Sequence, residues 1–156
     1  MTMALLIITI ISAVVMCIGE ALAMTPGIVY AFGCAFASLF DGIDGTSVEY
    51  HGEGIMLVYA AVVMFCAALV FALGIAAYFP SRRRDVKSSI ALYVSACVVA
   101  FIGLVFEILC YLFVMKYNDE ICAPSIIILW PILQGLLLAA MVVMTVMTLR
   151  EADLND

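Results

Sequence analysis

Four apolar stretches, each at or above the roughly 20 residues a helix needs to cross a hydrocarbon core, occupy most of this chain. They are Met3 to Met24, Ile55 to Phe79, Ser88 to Met115 and Ser125 to Leu149. With 68 % hydrophobic residues, a soluble domain of this length could not keep so much apolar surface from water. The runs are continuous rather than alternating, which argues against a membrane β-barrel. Helices satisfy every backbone group within the segment, so they are the expected spanning form. The expected fold is an all-α membrane protein, a four-transmembrane-helix antiparallel bundle forming a single domain over residues 1–156.

Charge then orients the bundle. Four of the six basic residues, Arg82, Arg83, Arg84 and Lys87, lie in the short 80–87 segment between the second and third stretches. The positive-inside tendency places that loop, and with it both termini, in the cytoplasm. The same residues can contact anionic lipid headgroups. The outer loops are then 25–54 and 116–124. Within the first of these, Pro26-Gly27 reads as a turn signal. The apolar run Gly27 to Phe40 is expected either to extend the first helix or to lie on the outer surface. The second half of that loop carries Asp41, Asp44, Glu49 and Glu53 around His51. It lacks the spaced oxygen ligands of a calcium-binding EF-hand, so a solvated turn is expected and no metal is assigned. Ala21-Leu22-Ala23 matches a signal-peptidase site. Without a basic n-region, and with Glu20 just before the site, an uncleaved first helix is the favoured reading.

Net charge is −6, and no basic stripe exists beyond the one loop, which excludes nucleic acid as an expected partner. Catalysis finds no support: the chain holds no Cys-x-x-Cys, His-Glu-x-x-His or phosphate-binding loop. No enzyme activity and no cofactor are expected. Of the six cysteines, Cys17, Cys66, Cys97 and Cys110 fall inside apolar stretches, where a thiol behaves as a small hydrophobe. Cys34 and Cys122 fall in the two outer loops and can form one bridge between them.

Helix association in lipid depends on close backbone approach. Small residues supply candidate packing stripes: Ala60, Ala67 and Gly74 in the second helix, Ala96, Ala100 and Gly103 in the third, and Gly135 with Ala139 in the fourth. A homo-oligomer seam would need a stripe left over after packing within the chain. Trp130, Tyr117, Tyr59 and Tyr78 suit the interfacial aromatic belt.

Glu20 and Glu107 are the candidate intramembrane acids, because an acid inside a span is costly and points to function by default. At about 1.5 Å per residue, Glu20 lies roughly 25 Å beyond Met3, and Glu107 roughly 28 Å beyond Ser88. Both belong in the outer part of the bilayer, and they meet if the first and third helices are neighbours. No Lys or Arg lies within any of the four stretches. Two adjacent carboxyls are therefore not expected to be charged together. They can form a proton or cation site, or hydrogen-bond Ser95, Gln134 or a backbone carbonyl. Gln134 is expected to serve as an interhelical hydrogen bonder.

This layout resembles the MARVEL-type and claudin-type (peripheral-myelin-protein-like) tetraspan families: a minimal amino-terminal tail, an outer loop, a tight basic turn, a short second outer loop and a short tail. Phe106-Glu107-Ile108 is similar to the acid often present in the third helix of MARVEL proteins. The first outer loop holds Cys34 and no Trp, unlike the claudin-type signature, so no junctional residue carries over. The resemblance implies membrane organisation, trafficking, adhesion or an accessory role in a larger assembly. The leading expectation is thus a non-enzymatic tetraspan protein that packs laterally against another membrane protein or itself. The alternative is a small proton- or cation-coupled transporter or channel subunit using Glu20 and Glu107.

Overall fold

The computed structural model describes the backbone of residues 2–40, 53–83, 85–117 and 124–153. It describes side chains over 3–22, 58–81, 83, 85–112 and 128–151. Four helices account for these residues: α1 Thr2–Phe40, α2 Glu53–Arg82, α3 Val86–Tyr117 and α4 Pro124–Asp153. Each contains a window long and apolar enough to cross a membrane, and no strand occurs among the described residues. By length and composition this is an integral, multi-pass membrane protein built as an all-α four-helix bundle.

Two boundaries differ from the sequence reading. Pro26-Gly27 does not end the first helix, which runs on to Phe40. Of the two expected forms of the 27–40 segment, the helical extension is the one observed. Proline removes one donor and crowds the carbonyl four residues back, a local cost that does not forbid helix on either side. The basic loop is also shorter than 80–87. Pro80 lies inside the last turns of α2, and α3 begins at Val86, so the turn is confined to 83–85.

Its closure is explained by hydrogen bonds. The Arg83 amide donates to the Pro80 carbonyl at 3.0 Å, and the Asp85 amide donates to the same oxygen at 3.0 Å. Asp85 caps α3: the Ser88 amide donates to Oδ1 at 3.3 Å and the Ser88 hydroxyl to Oδ2 at 2.7 Å. These two bonds hold the exposed Asp85 carboxyl below the usual carboxylate range. Further in, Ser89 Oγ donates to the Ala77 carbonyl at 2.9 Å, tying α3 to α2 through a buried bond.

The helices form a ring in the order α1, α2, α3, α4. α1 also touches α3 across the middle, whereas α2 and α4 do not touch among the described residues. Core layers fix the antiparallel register. Leu5, Ala77 and Tyr93 pack together near the basic turn. Ala13, Val70 and Ala100 form the next layer, then Met16, Val63, Cys66 and Ala67. Small residues set the close approaches. A Cβ on Gly74 would lie 2.8 Å from Thr9 Cγ2, and one on Gly103 would run into the Met16 methyl. Ala60, Ala67, Gly74, Ala96, Ala100 and Gly103 are all buried.

The fourth helix is different. Gly135 is half-buried, with Leu104 Cδ2 4.0 Å from where its Cβ would stand. Ala139 is exposed. This corrects the expectation that the pair forms an intramolecular packing face. The inward stripe of α4 is instead Gln134, Met141, Thr145 and Thr148, because these residues recur at helical spacing on the side facing α1 and α3. Across the bundle, large side chains such as Phe65, Phe101 and Leu136 point outward while Thr9, Ser12, Glu20, Glu107 and Gln134 point inward. Such an apolar exterior suits lipid and not water.

Candidate functional site: a buried acid pair

The α1–α3 diagonal brings Glu20 and Glu107 into one interior site at the end of the bundle opposite the basic turn. Glu20 is 1 % exposed and Glu107 4 %. The Glu107 carboxyl reaches α1 at Gly19, the residue next to Glu20. Their neighbours come from three helices. Cys110 stands one turn beyond Glu107 on α3, and its thiol donates to Glu20 Oε1 at 3.3 Å. Gly19 on α1 leaves room for the other acid: a Cβ there would lie 2.8 Å from Glu107 Oε1 and 3.1 Å from Trp130 Cβ on α4. Phe106 packs edge-on against Tyr59 of α2, with ring centroids 5.9 Å apart.

Among the described residues, three carboxyl oxygens have no hydrogen-bond partner: Glu20 Oε2 and both oxygens of Glu107. The Trp130 indole N–H and the Tyr111 hydroxyl are also buried and unpartnered. Buried polar groups are normally satisfied, and leaving one unpaired costs about 1–3 kcal/mol. A cluster of this kind is therefore an unusual expense for a purely structural interior. No Lys or Arg occurs in residues 3–24 or 88–115 to neutralise the acids. Neutral carboxyls, or carboxylates around a bound cation, are the two chemical states consistent with this burial.

Nearer the middle of the bundle, Gln134 of α4 is fully buried and its Nε2 donates to Ser12 Oγ of α1 at 2.8 Å. Its Oε1 is unpartnered. Gln134 and the acids are thus on the same interior but do not share a hydrogen bond in this structure. Ser95, considered as a partner for an acid, donates instead to the Ala91 carbonyl at 2.9 Å.

Other sequence candidates fall elsewhere. Arg83 and Lys87 are exposed at the basic turn; the side chains of Arg82 and Arg84 lie outside the described residues. So do Cys34 and Cys122 and the proposed bridge, His51 and the acids around it. Cys17, Cys66, Cys97 and Cys110 are free thiols. No cluster of metal-binding side chains occurs among the described residues. On the exterior, Val94, Val98, Phe101, Leu138 and Val142 line an open apolar groove of about 340 Å³ between α3 and α4.

Sequence reasoning missed four parts of the site. Trp130 was assigned to the interfacial belt, Cys110 to inert core, and Gly19 and Ser12 to no role. One signal was available: Glu107 and Cys110 are three apart and share a helix face. The contribution of α4 carried no such signal. No family model, no characterised protein and no solved structure matches this chain.

Proposed function

We propose that this protein is a non-enzymatic membrane component whose interior acid pair binds and releases a proton or a small monovalent cation. The observation that carries this reading is the set of three unpartnered carboxyl oxygens on Glu20 and Glu107, buried together with no cationic side chain in their spans. Ionisable residues inside a membrane bundle typically mark ion or proton pathways. In this reading the basic turn and both termini face the cytoplasm, and the acid pair lies toward the other side. Lipid headgroups at Arg83 and Lys87 anchor the cytoplasmic end.

The test is flux in proteoliposomes, with proton movement read by an entrapped pH dye and sodium and potassium gradients run in parallel. Wild-type protein should move one of these ions, and Glu20→Gln or Glu107→Gln should abolish it. Identical flux in wild type, both variants and empty vesicles would sink the proposal.

A second reading is an accessory subunit that packs laterally against another membrane protein or a second copy of itself. It is favoured by α4, whose spanning window is only 22 % buried against 44 % for α1. Gly135 and Ala139 are the small pair left over on that helix, beside the apolar α3–α4 groove. Ala139→Leu should then weaken co-purification in mild detergent without lowering the stability of the isolated chain.

A further inference from the structure

The interior of the bundle carries two polar stations, not one. Ser12 and Glu20 lie on the same buried face of α1, eight residues and hence about 12 Å apart along the axis. Between them on that face stands Met16, fully buried and packed with Val63, Cys66 and Ala67. Its methyl occupies the space that the missing side chain of Gly103 leaves on α3. On one side of Met16 are the acids with their unpartnered oxygens. On the other is Gln134, 0 % exposed, bonded to Ser12 through Nε2 and with Oε1 left over. Thr9, one turn further toward the basic turn, is also fully buried, and its hydroxyl donates to the Leu5 carbonyl at 2.7 Å.

We infer that Ser12 and Gln134 form a second proton- or water-binding station, and that Met16, seated on Gly103, is the apolar barrier separating it from the acid pair. This rests on the acid pair being the ion-binding site proposed above. The chemistry follows from the groups present. An amide oxygen and a hydroxyl can each hold a water or relay a proton by exchanging hydrogen bonds. Neither needs to be charged, so the station tolerates a dry interior that an ion pair would not. A hydrophobic constriction blocks ions by excluding water rather than by plugging a pore. Methionine suits that place: it is unbranched and flexible, so it can leave a slot and return to it. The Gly103 slot gives the closed position its definition.

The experiment uses full-length protein in liposomes containing a pH dye, with an imposed potassium-diffusion potential. Met16→Ala should raise proton flux by about tenfold or more over wild type, since each tenfold is a modest lowering of the barrier. Met16→Leu, which refills the space, should behave as wild type. Gln134→Leu should cut the flux of wild type and cancel the gain from Met16→Ala. Met16→Ala flux no greater than that of Met16→Leu overturns the barrier, and a Gln134→Leu flux equal to wild type overturns the second station. A separate readout covers the underlying reading. Infrared difference spectra should show a protonated-carboxyl band that Glu107→Gln removes. If that band is present and responds to pH while the Met16 and Gln134 variants leave flux unchanged, only this inference falls. If neither acid ever changes its protonation or binds a cation, the proposed function falls with it.

Discussion

At the end of the bundle near the basic turn, nearly every buried hydroxyl is satisfied by a backbone carbonyl. Thr9 donates to Leu5, Ser89 to Ala77, Thr145 to Met141 and Thr148 to Met144; the Tyr93 hydroxyl is the exception. At the opposite end, both oxygens of Glu107, one of Glu20, the Trp130 N–H and the Tyr111 hydroxyl are all left without partners among the described residues. The first end mostly uses short side chains that return to their own or a neighbouring helix, and these hydroxyls are satisfied within the backbone. The second end uses long acids that come together across the α1–α3 diagonal without a hydrogen bond between them. Stability is concentrated where polar groups are complete, and chemistry is available where they are not.

Four substitutions test that contrast. The largest effect should come from Gly19→Leu, which forces a side chain into the place held by Glu107 and Trp130. Overpacking of this kind costs about 2 kcal/mol, and thermal unfolding in one detergent should show a clear drop. If Gly19→Leu costs no more than Ala139→Leu on the exposed face, the acid end is not packed as described. Ser89→Ala comes next. It removes a buried bond between α2 and α3, for a loss of about 1 kcal/mol by the same measurement. Gln134→Leu should cost less, about 0.6 kcal/mol as for interhelical hydrogen bonds in membranes generally. Its own Oε1 gains nothing from burial, so a loss as large as that of Ser89→Ala would mean that Gln134 is completed in a way the acid end is not.

The smallest effect concerns the cap at Asp85. Its folded carboxyl titrates below the ordinary value of 3.8 because Ser88 donates two hydrogen bonds to it. A lowered value means that the ionised cap stabilises the fold above the unfolded pKa, and that this contribution fades as pH falls through the folded one. The difference in melting temperature between wild type and Asp85→Ala should therefore be present near neutral pH and shrink below pH 3.8. A difference independent of pH would show that the carboxylate charge does not contribute.

Much of this architecture is legible in the chain itself. The spans could be read because lipid admits only long, continuously apolar helices, and the depths of Glu20 and Glu107 followed from the helical rise. The small stripes on α2 and α3 could be read as candidates because glycine and alanine recur at one azimuth. Less legible were the helix ends. Pro26 and Pro80 are strong local signals against helix, yet Pro26 is a single interruption between long apolar flanks, and Pro80 falls only two residues before the end of α2. The fourth helix was the least legible: Gly135 and Ala139 look like a contact face by spacing alone, but Ala139 remains outside.

What the sequence determined by itself, then, is the axial coordinate: which residues cross, in what order, and at what height each polar group stands. The tertiary structure decided the azimuth. The short α1–α3 diagonal faces Glu20 toward Glu107, α4 turns Trp130 and Gln134 inward, and Gly103 gives Met16 its seat. The physical reason is that height depends on one helix and a constant rise, whereas facing depends on how several helices pack together, and no single segment encodes that.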